Sequence, residues 1–426
     1  MLKFSDFSYK VLTCIVLLCI YFYLSSIYSS FIFKLFAYRG FLLHHNIFNE
    51  LISLGILLIS LIILLILPLK PNVFATSVII KILFLIPCLV LFAKMDTDFR
   101  IILSMILFDF LFISVSLISF RFYSPKVKAE NHIYILVGLV ILLLIPIVMT
   151  FGTTLNLSLL LLKDVYKFRL IARQESTALA SYAMFWISRI ILPILIIYGM
   201  ILKKNKMVFI SVLLMIFIFL VAGAHKAILF SIFIFFYFYF KKNYIKKIFW
   251  FSMGILFVSI IGIILYNNLN FLTLADLMIR RTLFDPAFLD ICYFDFFDHN
   301  HMHLSHSIFK GFIDNPYPVQ PSYMIGKVYF NHPLENAGNG IISDGFMNFG
   351  MFGVIISILI AVTILKYCLS ANISHHFFGI IFIIIYGFSS TGILTNILNG
   401  GIFIAILIIQ FILKDLRFNE QERVKN

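Results

Sequence analysis

Long apolar runs dominate the chain, and short polar turns interrupt them. A helix needs about 20 mainly apolar residues to cross a bilayer. The pattern predicts twelve such spans, at 11–33, 51–69, 73–93, 101–120, 133–151, 177–202, 207–223, 226–240, 248–266, 347–366, 376–392 and 398–413. The first run is too long for the apolar core of a cleavable signal peptide, and more spans follow it. Two boundaries rest on small and turn-forming residues. Ala222-Gly223-Ala224-His225-Lys226 divides the run 207–240, and the segment 396–401 divides the run 375–413.

Most connections between spans are short. Two are not: a medium loop at 152–176 and a long one at 267–346. A loop that long inside a compact domain usually carries function. No internal repeat or low-complexity linker interrupts the pattern, so residues 1–426 read as one membrane domain. The expected fold class is an all-α polytopic membrane protein with about twelve spans and a partly helical outer loop.

Composition supports this picture and closes other routes. Hydrophobic residues make up 62% of the chain and charged ones 12%. Soluble domains are about half apolar and about a quarter charged. A soluble enzyme, a nucleic-acid-binding domain and a disordered chain are therefore excluded. The net charge of +14 follows from bilayer orientation, because Lys and Arg accumulate in cytoplasmic loops. With both termini cytoplasmic, 18 of the 33 basic residues fall inside, 13 outside and two within spans. Eight of the outer ones lie in the two longer loops, where the rule is weak. The five cysteines form no CxxC pair, so neither a disulfide framework nor a zinc signature is indicated.

The long loop differs in composition from the rest. It holds eight of the 19 acidic residues, five of the 11 histidines and five of the 11 prolines. Phe271, Leu274, Leu277 and Met278 share one helical face. Asp285-Pro286 then reads as the N-cap and first residue of a second helix. The run Asn315–Pro321 is an extended turn, and a glycine-rich stretch, Gly338–Gly353, closes the loop.

Four groups of residues carry candidate chemistry. Outer cations come first: Lys163, Lys167, Arg169 and Arg173 before the sixth span, Lys226 at the turn between spans seven and eight, and Arg280-Arg281. Together they would suit a pyrophosphate, since the guanidinium fork matches phosphate oxygens. Equally, juxtamembrane Lys and Arg snorkel to lipid head groups, and Asp276 stands four residues before Arg280, the spacing of a helix salt bridge. Second are charges within spans. Lys81 and Asp109 sit on consecutive antiparallel helices and read as an ion pair, whereas Arg189 has no obvious partner and is expected to face a water-filled cavity. Third is the run 298–306, with His299, His301, His303 and His306. Its spacing fits no specific metal motif, but a histidine titrating near neutrality can act as acid or base. Fourth is Asp344, flanked by Ser343 and Gly345 where the loop re-enters the membrane. It suits either close approach to a substrate or the N-cap of span ten.

The long loop contains Leu304-Ser305-His306-Ser307, Pro318 to Tyr323, Ile325-Gly326 and Tyr329-Phe330. It closes with Ala337-Gly338-Asn339-Gly340, Ser343-Asp344-Gly345-Phe346-Met347-Asn348-Phe349-Gly350 and Gly353. In this order of features, over roughly 273–356, the chain resembles the Wzy-type O-antigen polymerases, the oligosaccharide repeat-unit polymerases of bacterial inner membranes. The run 164–169 is a weaker match. One departure is His225-Lys226, where related polymerases and ligases often have arginine. The resemblance implies a GT-C-type bundle with periplasmic loops and undecaprenyl-pyrophosphate-linked glycans as substrates. It also implies transfer of the growing chain onto the non-reducing end of a new repeat unit, without metal or other cofactor. Expected partners are membrane lipids, a chain-length regulator and a flippase, with no nucleic acid. Arg169, Arg173, Arg189, Lys226, Arg280 and Arg281 would hold the pyrophosphate. His306 and Asp344 would handle the acceptor proton, and His303, Tyr317, Tyr323 and Asn339 would contact glycan. The competing classes are a lipid-linked oligosaccharide flippase or exporter and a sugar acyltransferase. A transporter is often built from repeats with midplane sites, whereas here the polar chemistry gathers in one outer loop.

Overall fold

The computed structural model is all-helical, with 80% of residues in helix and no strand among the described residues. The structure describes residues 4–414 except 96, 120–126, 154–167, 169–171, 173–175, 223–225, 241–242 and 308. Arg169, Arg173 and His225 lie outside the described residues, as does the side chain of Lys226.

Among the described residues, eight helices are long and apolar enough to cross a membrane: α1 (Ser5–Arg39), α2 (Ile47–Ile66), α3 (Pro71–Lys94), α4 (Phe99–Leu117), α5 (His132–Phe151), α6 (Ala178–Ile201), α9 (Tyr244–Leu269) and α12 (Ile341–Ser370). Shorter apolar helices fill the other expected places: α7 (Asn205–Val221), Phe230–Phe240 within α8 (Lys226–Phe240), α13 (His375–Ser390) and α15 (Ile402–Leu413). Each of the twelve apolar runs thus contains a helix among the described residues, and eight of these helices have spanning length. The long segment 267–346 adds α10 (272–296) and α11 (Pro321–Phe330), and α14 (Ile393–Leu398) lies between α13 and α15.

Local chemistry sets the helix starts. Asn46 Oδ1 accepts from the Phe48 amide at 3.0 Å, Asp98 Oδ1 from the Arg100 amide at 2.8 Å and Asn243 Oδ1 from the Ile245 amide at 2.8 Å. Each supplies an acceptor that the first turn lacks. Pro71 opens α3, where a missing amide costs nothing.

The chain forms two compact units. One comprises Met1–Ser119, Asn243–Lys366 and Ile385–Ile393; the other comprises Phe120–Lys242, Tyr367–Ile384 and Leu394–Asn426. In the first unit α3 is buried along its whole apolar window, and it carries a charge to the centre. Lys81 donates to both carboxylate oxygens of Asp109, at 2.6 and 2.8 Å, and to Ser77 Oγ at 3.1 Å. Ser60 donates to Asp109 Oδ2 at 2.8 Å. The expected intramembrane ion pair is present, with every ammonium proton engaged.

Ion pairs in this unit also sort the connections into two ends. At one end Lys94 meets Glu50 at 2.5 Å, Arg100 meets Asp298 at 2.7 Å, and Arg39 meets Glu335. The turns after α1 and α3 therefore lie on the same side as the 267–346 segment. At the other end Asn243 donates to Asp6 at 2.8 Å and Lys366 donates to the Ser116 carbonyl at 3.1 Å. This is the alternation that antiparallel spans require.

In the second unit α5 and α6 are joined by a 2.9 Å hydrogen bond between His132 Nδ1 and Tyr198 Oη. Trp186 donates to the Leu398 carbonyl at 2.6 Å, and Gln410 donates to the Tyr367 carbonyl at 2.7 Å. Arg189 lies half-buried in a widened turn of α6 with its guanidinium 4.2 Å from the Phe185 ring centre.

Candidate functional site

The site is built from α10, the head of α12 and the histidine-bearing segment between them, all in the first unit. α10 differs from expectation. Asp285-Pro286 does not begin a new helix: one helix runs from 272 to 296, with a widened π turn over Asp276–Phe284. The wider turn relieves the clash that the Pro286 ring would make with the preceding turn. The Asp285 carboxylate, expected as an N-cap, instead accepts from Arg280 Nη1 at 2.7 Å. Arg280 also donates to Asp276 Oδ1 at 2.5 Å and lies 4.6 Å from the Phe36 ring centre. Its side chain is 5% exposed, so this guanidinium is a strut within the protein. Arg281 shares Asp276, Nε to Oδ2 at 2.8 Å, but its side chain is 44% exposed. Of the two arginines only Arg281 presents itself outward.

α12 is broken near its start. Phe349 and Gly350 leave helical geometry, Gly350 at φ 61° and ψ −149°, a region that only glycine enters without strain. The break leaves carbonyls without intrahelical donors, and the histidine segment supplies them. Met302 N–H donates to the Met347 carbonyl at 2.9 Å and His303 N–H to the Asn348 carbonyl at 3.2 Å. Leu304 N–H donates to Asn348 Oδ1 at 2.9 Å, and Asn348 Nδ2 donates to the Asp344 carbonyl at 2.8 Å. The run 299–306 is therefore a shaped strap, not a loose polar turn. His301 lies over Gly350, where a Cβ would fall 3.0 Å from Nε2. The Nδ1 atoms of His301 and His306 are both buried without a hydrogen-bond partner. Burial holds both imidazoles below their ordinary pKa, which keeps them neutral at neutral pH.

Asp344 stands in the first turn of α12 but does not cap it. The carboxylate crosses to the start of α14, where Oδ2 accepts from the Ile393 amide at 3.2 Å, while Oδ1 faces Asn339 Nδ2 at 3.4 Å. Gly392 makes this approach possible, because a Cβ there would fall 2.5 Å from Oδ1 and 2.7 Å from Oδ2. Asp344 is half-buried and held from two directions.

Beside it lies a cluster the sequence did not single out. Arg100 reaches Asp98 at 2.5 Å and Asp298 at 2.7 Å, with its guanidinium 5.3 Å from the Phe346 ring centre. Phe346 stacks on Phe294 at 3.8 Å and meets the edge of His301 at 5.7 Å. Arg100, Asp298, His301 and Phe346 thus adjoin the turn that holds Asp344. The available signal was Arg100 beside Asp98 in a short turn on the outer side.

The remaining expected residues are placed as follows. Tyr317 packs against Phe296 and Phe297, at 5.5 and 5.6 Å, and so helps hold the segment together. His303 is exposed, 5.6 Å from the Phe349 ring. Tyr323 is half-buried in the first turn of α11. Arg189 and Lys226 belong to the second unit.

No family model, curated protein or solved structure matches the chain.

Proposed function

We propose that this chain polymerises undecaprenyl-pyrophosphate-linked oligosaccharide repeat units at the outer face of a bacterial inner membrane, as a twelve-span, metal-independent glycosyltransferase of GT-C type. The observation that carries the reading is the Asp344 carboxylate. It stands in the first turn of α12, held by the Ile393 amide and faced by Asn339, and the histidine-bearing segment hydrogen-bonds the turn that follows it. A carboxylate fixed in this way can accept the proton of a sugar hydroxyl and fix its direction of attack.

The acceptor hydroxyl oxygen then forms a bond to the anomeric carbon of the growing chain. The anomeric bond to pyrophosphate breaks, its electron pair leaves with the phosphate, and the hydroxyl proton passes to Asp344. His306, kept neutral by burial, is the second candidate for that proton. Charge growing on the leaving pyrophosphate needs cations, and exposed Arg281 is the member of the Arg280-Arg281 pair able to meet it.

The test is gel analysis of surface polysaccharide from cells whose chromosomal gene is replaced by variants. Arg281→Ala and Asp344→Ala are expected to abolish polymer laddering while single-repeat glycan still reaches the outer face. Loss of even the single repeat would favour translocation. An unchanged ladder in both would remove this site assignment.

A further inference from the structure

We infer that the cavity between α10, the head of α12 and the end of α13 is a binding site for a small monovalent cation, Na⁺, held by Asp290 and backbone carbonyl oxygens. The cavity is about 10 Å³, room for one water-sized particle. Its wall includes Asp290, Gly340, Ile341 and Ser389, and Asp290 is the only ionisable residue lining it.

Asp290 is 5% exposed, and its Oδ1 is buried without a hydrogen-bond partner. A carboxylate in that position must be neutralised, by a proton or by a cation. No cation of the protein does so. The titratable neighbours among the described residues are Cys88, Cys292, Tyr293 and, beyond Tyr293, Asp344. Burial accordingly pushes Asp290 up to about 7, with Ser343 offsetting part of the cost.

Oxygen donors are close at hand. α13 ends at Ser390, so the Phe388 and Ser389 carbonyls belong to a last turn whose acceptors lack intrahelical donors. Both oxygens lie beside Gly340, where a Cβ would fall 3.0 Å from the Phe388 oxygen and 3.1 Å from the Ser389 oxygen, and Gly340 and Ser389 both line the cavity. Hard cations take oxygen ligands, and interrupted helices place C-terminal carbonyls around Na⁺ in membrane proteins. A carboxylate ligand attracts the smaller ion more strongly because that ion approaches more closely, which favours Na⁺ over K⁺. At neutral pH Na⁺ displaces the proton where Asp290 carries one and neutralises the carboxylate where it does not, so the occupied site is neutral in every chain.

This inference does not rest on the polymerase reading, and laddering forms no part of its test. Full-length protein in detergent micelles is unfolded thermally at pH 8 in NaCl and in choline chloride of equal ionic strength. The expected result is a Tm several degrees higher in NaCl, a difference lost in Asp290→Asn. A second measurement uses the wild type alone. NaCl added to weakly buffered protein at pH 7 should release up to about half a proton per chain, and choline chloride none. Equal Tm values in the two salts together with no proton release would overturn the site. KCl reproducing both effects at the same concentration would overturn the assignment to Na⁺.

Discussion

Removal of one partner from the Lys81–Asp109 pair is the sharpest test of the buried core. Lys81 is fully buried and the Asp109 side chain is 7% exposed. Lys81→Met takes away both ammonium hydrogen bonds and leaves Asp109 with Ser60 alone. Hydrogen bonds to charged groups contribute about 1.5–3 kcal/mol each, and stranding one member of a buried pair costs about 3–5 kcal/mol. Each single change, Lys81→Met or Asp109→Leu, should therefore destabilise the protein by about 3 kcal/mol or more. The double variant removes both charges together. Ser60 and Ser77 can then return their hydroxyls to their own helices, and the net cost falls to about 1 kcal/mol. Thermal unfolding in micelles, followed by circular dichroism, reads all four proteins. Additive single effects would give about 6 kcal/mol in the double variant. A double variant at that level would show that the two groups are not coupled and would refute the argument.

Three further outcomes follow from the outer segment. Gly392→Ala drives a methyl group into the Asp344 carboxylate and should suppress polymer laddering while single-repeat glycan and membrane insertion persist; normal laddering would break the link between Asp344 and the Gly392 turn. Arg280→Ala leaves Asp285 without its arginine hydrogen bond and Asp276 with Arg281 alone, and should lower stability by about 3 kcal/mol. Arg281→Ala should lower it by less than about 1 kcal/mol, so equal losses in unfolding assays would contradict the division between strut and outward-facing arginine. Asp290 has a folded-state pKa of about 7 against an unfolded value near 4. In Na⁺-free buffer the native state then holds the extra proton. Stability from this group is full below about pH 4 and declines as pH rises towards 7. Asp290→Asn should flatten that decline, and an unchanged slope would refute it.

The spans were legible because each depends on local composition alone. A run of apolar residues near spanning length is its own signal: each of the twelve runs contains a helix among the described residues, and eight of those helices have spanning length. The Lys81–Asp109 pair was also legible, since two opposite charges on successive antiparallel spans have few other solutions. The four shorter helices show the limit of the pattern: hydropathy marks a helix but does not set its length.

The 267–346 segment was legible as the place where polar residues gather and less so in detail. Asp285-Pro286 carries a start signal, yet the π turn before it and the Arg280 guanidinium make a continuous helix more favourable than a new cap. Arg100 and Asp298 lie 198 positions apart, and nothing local links them. The partners of Asp344 come from Asn339 and from Ile393, 49 residues further on. Hydrophobic burial into a bilayer is a property of each segment by itself, so the sequence alone determined membrane character, the order of helices and the place where polar chemistry collects. Which carboxylate is held, which arginine is buried among carboxylates and which acid keeps a buried oxygen without a partner depend on contacts between distant segments. Only the tertiary structure decided those.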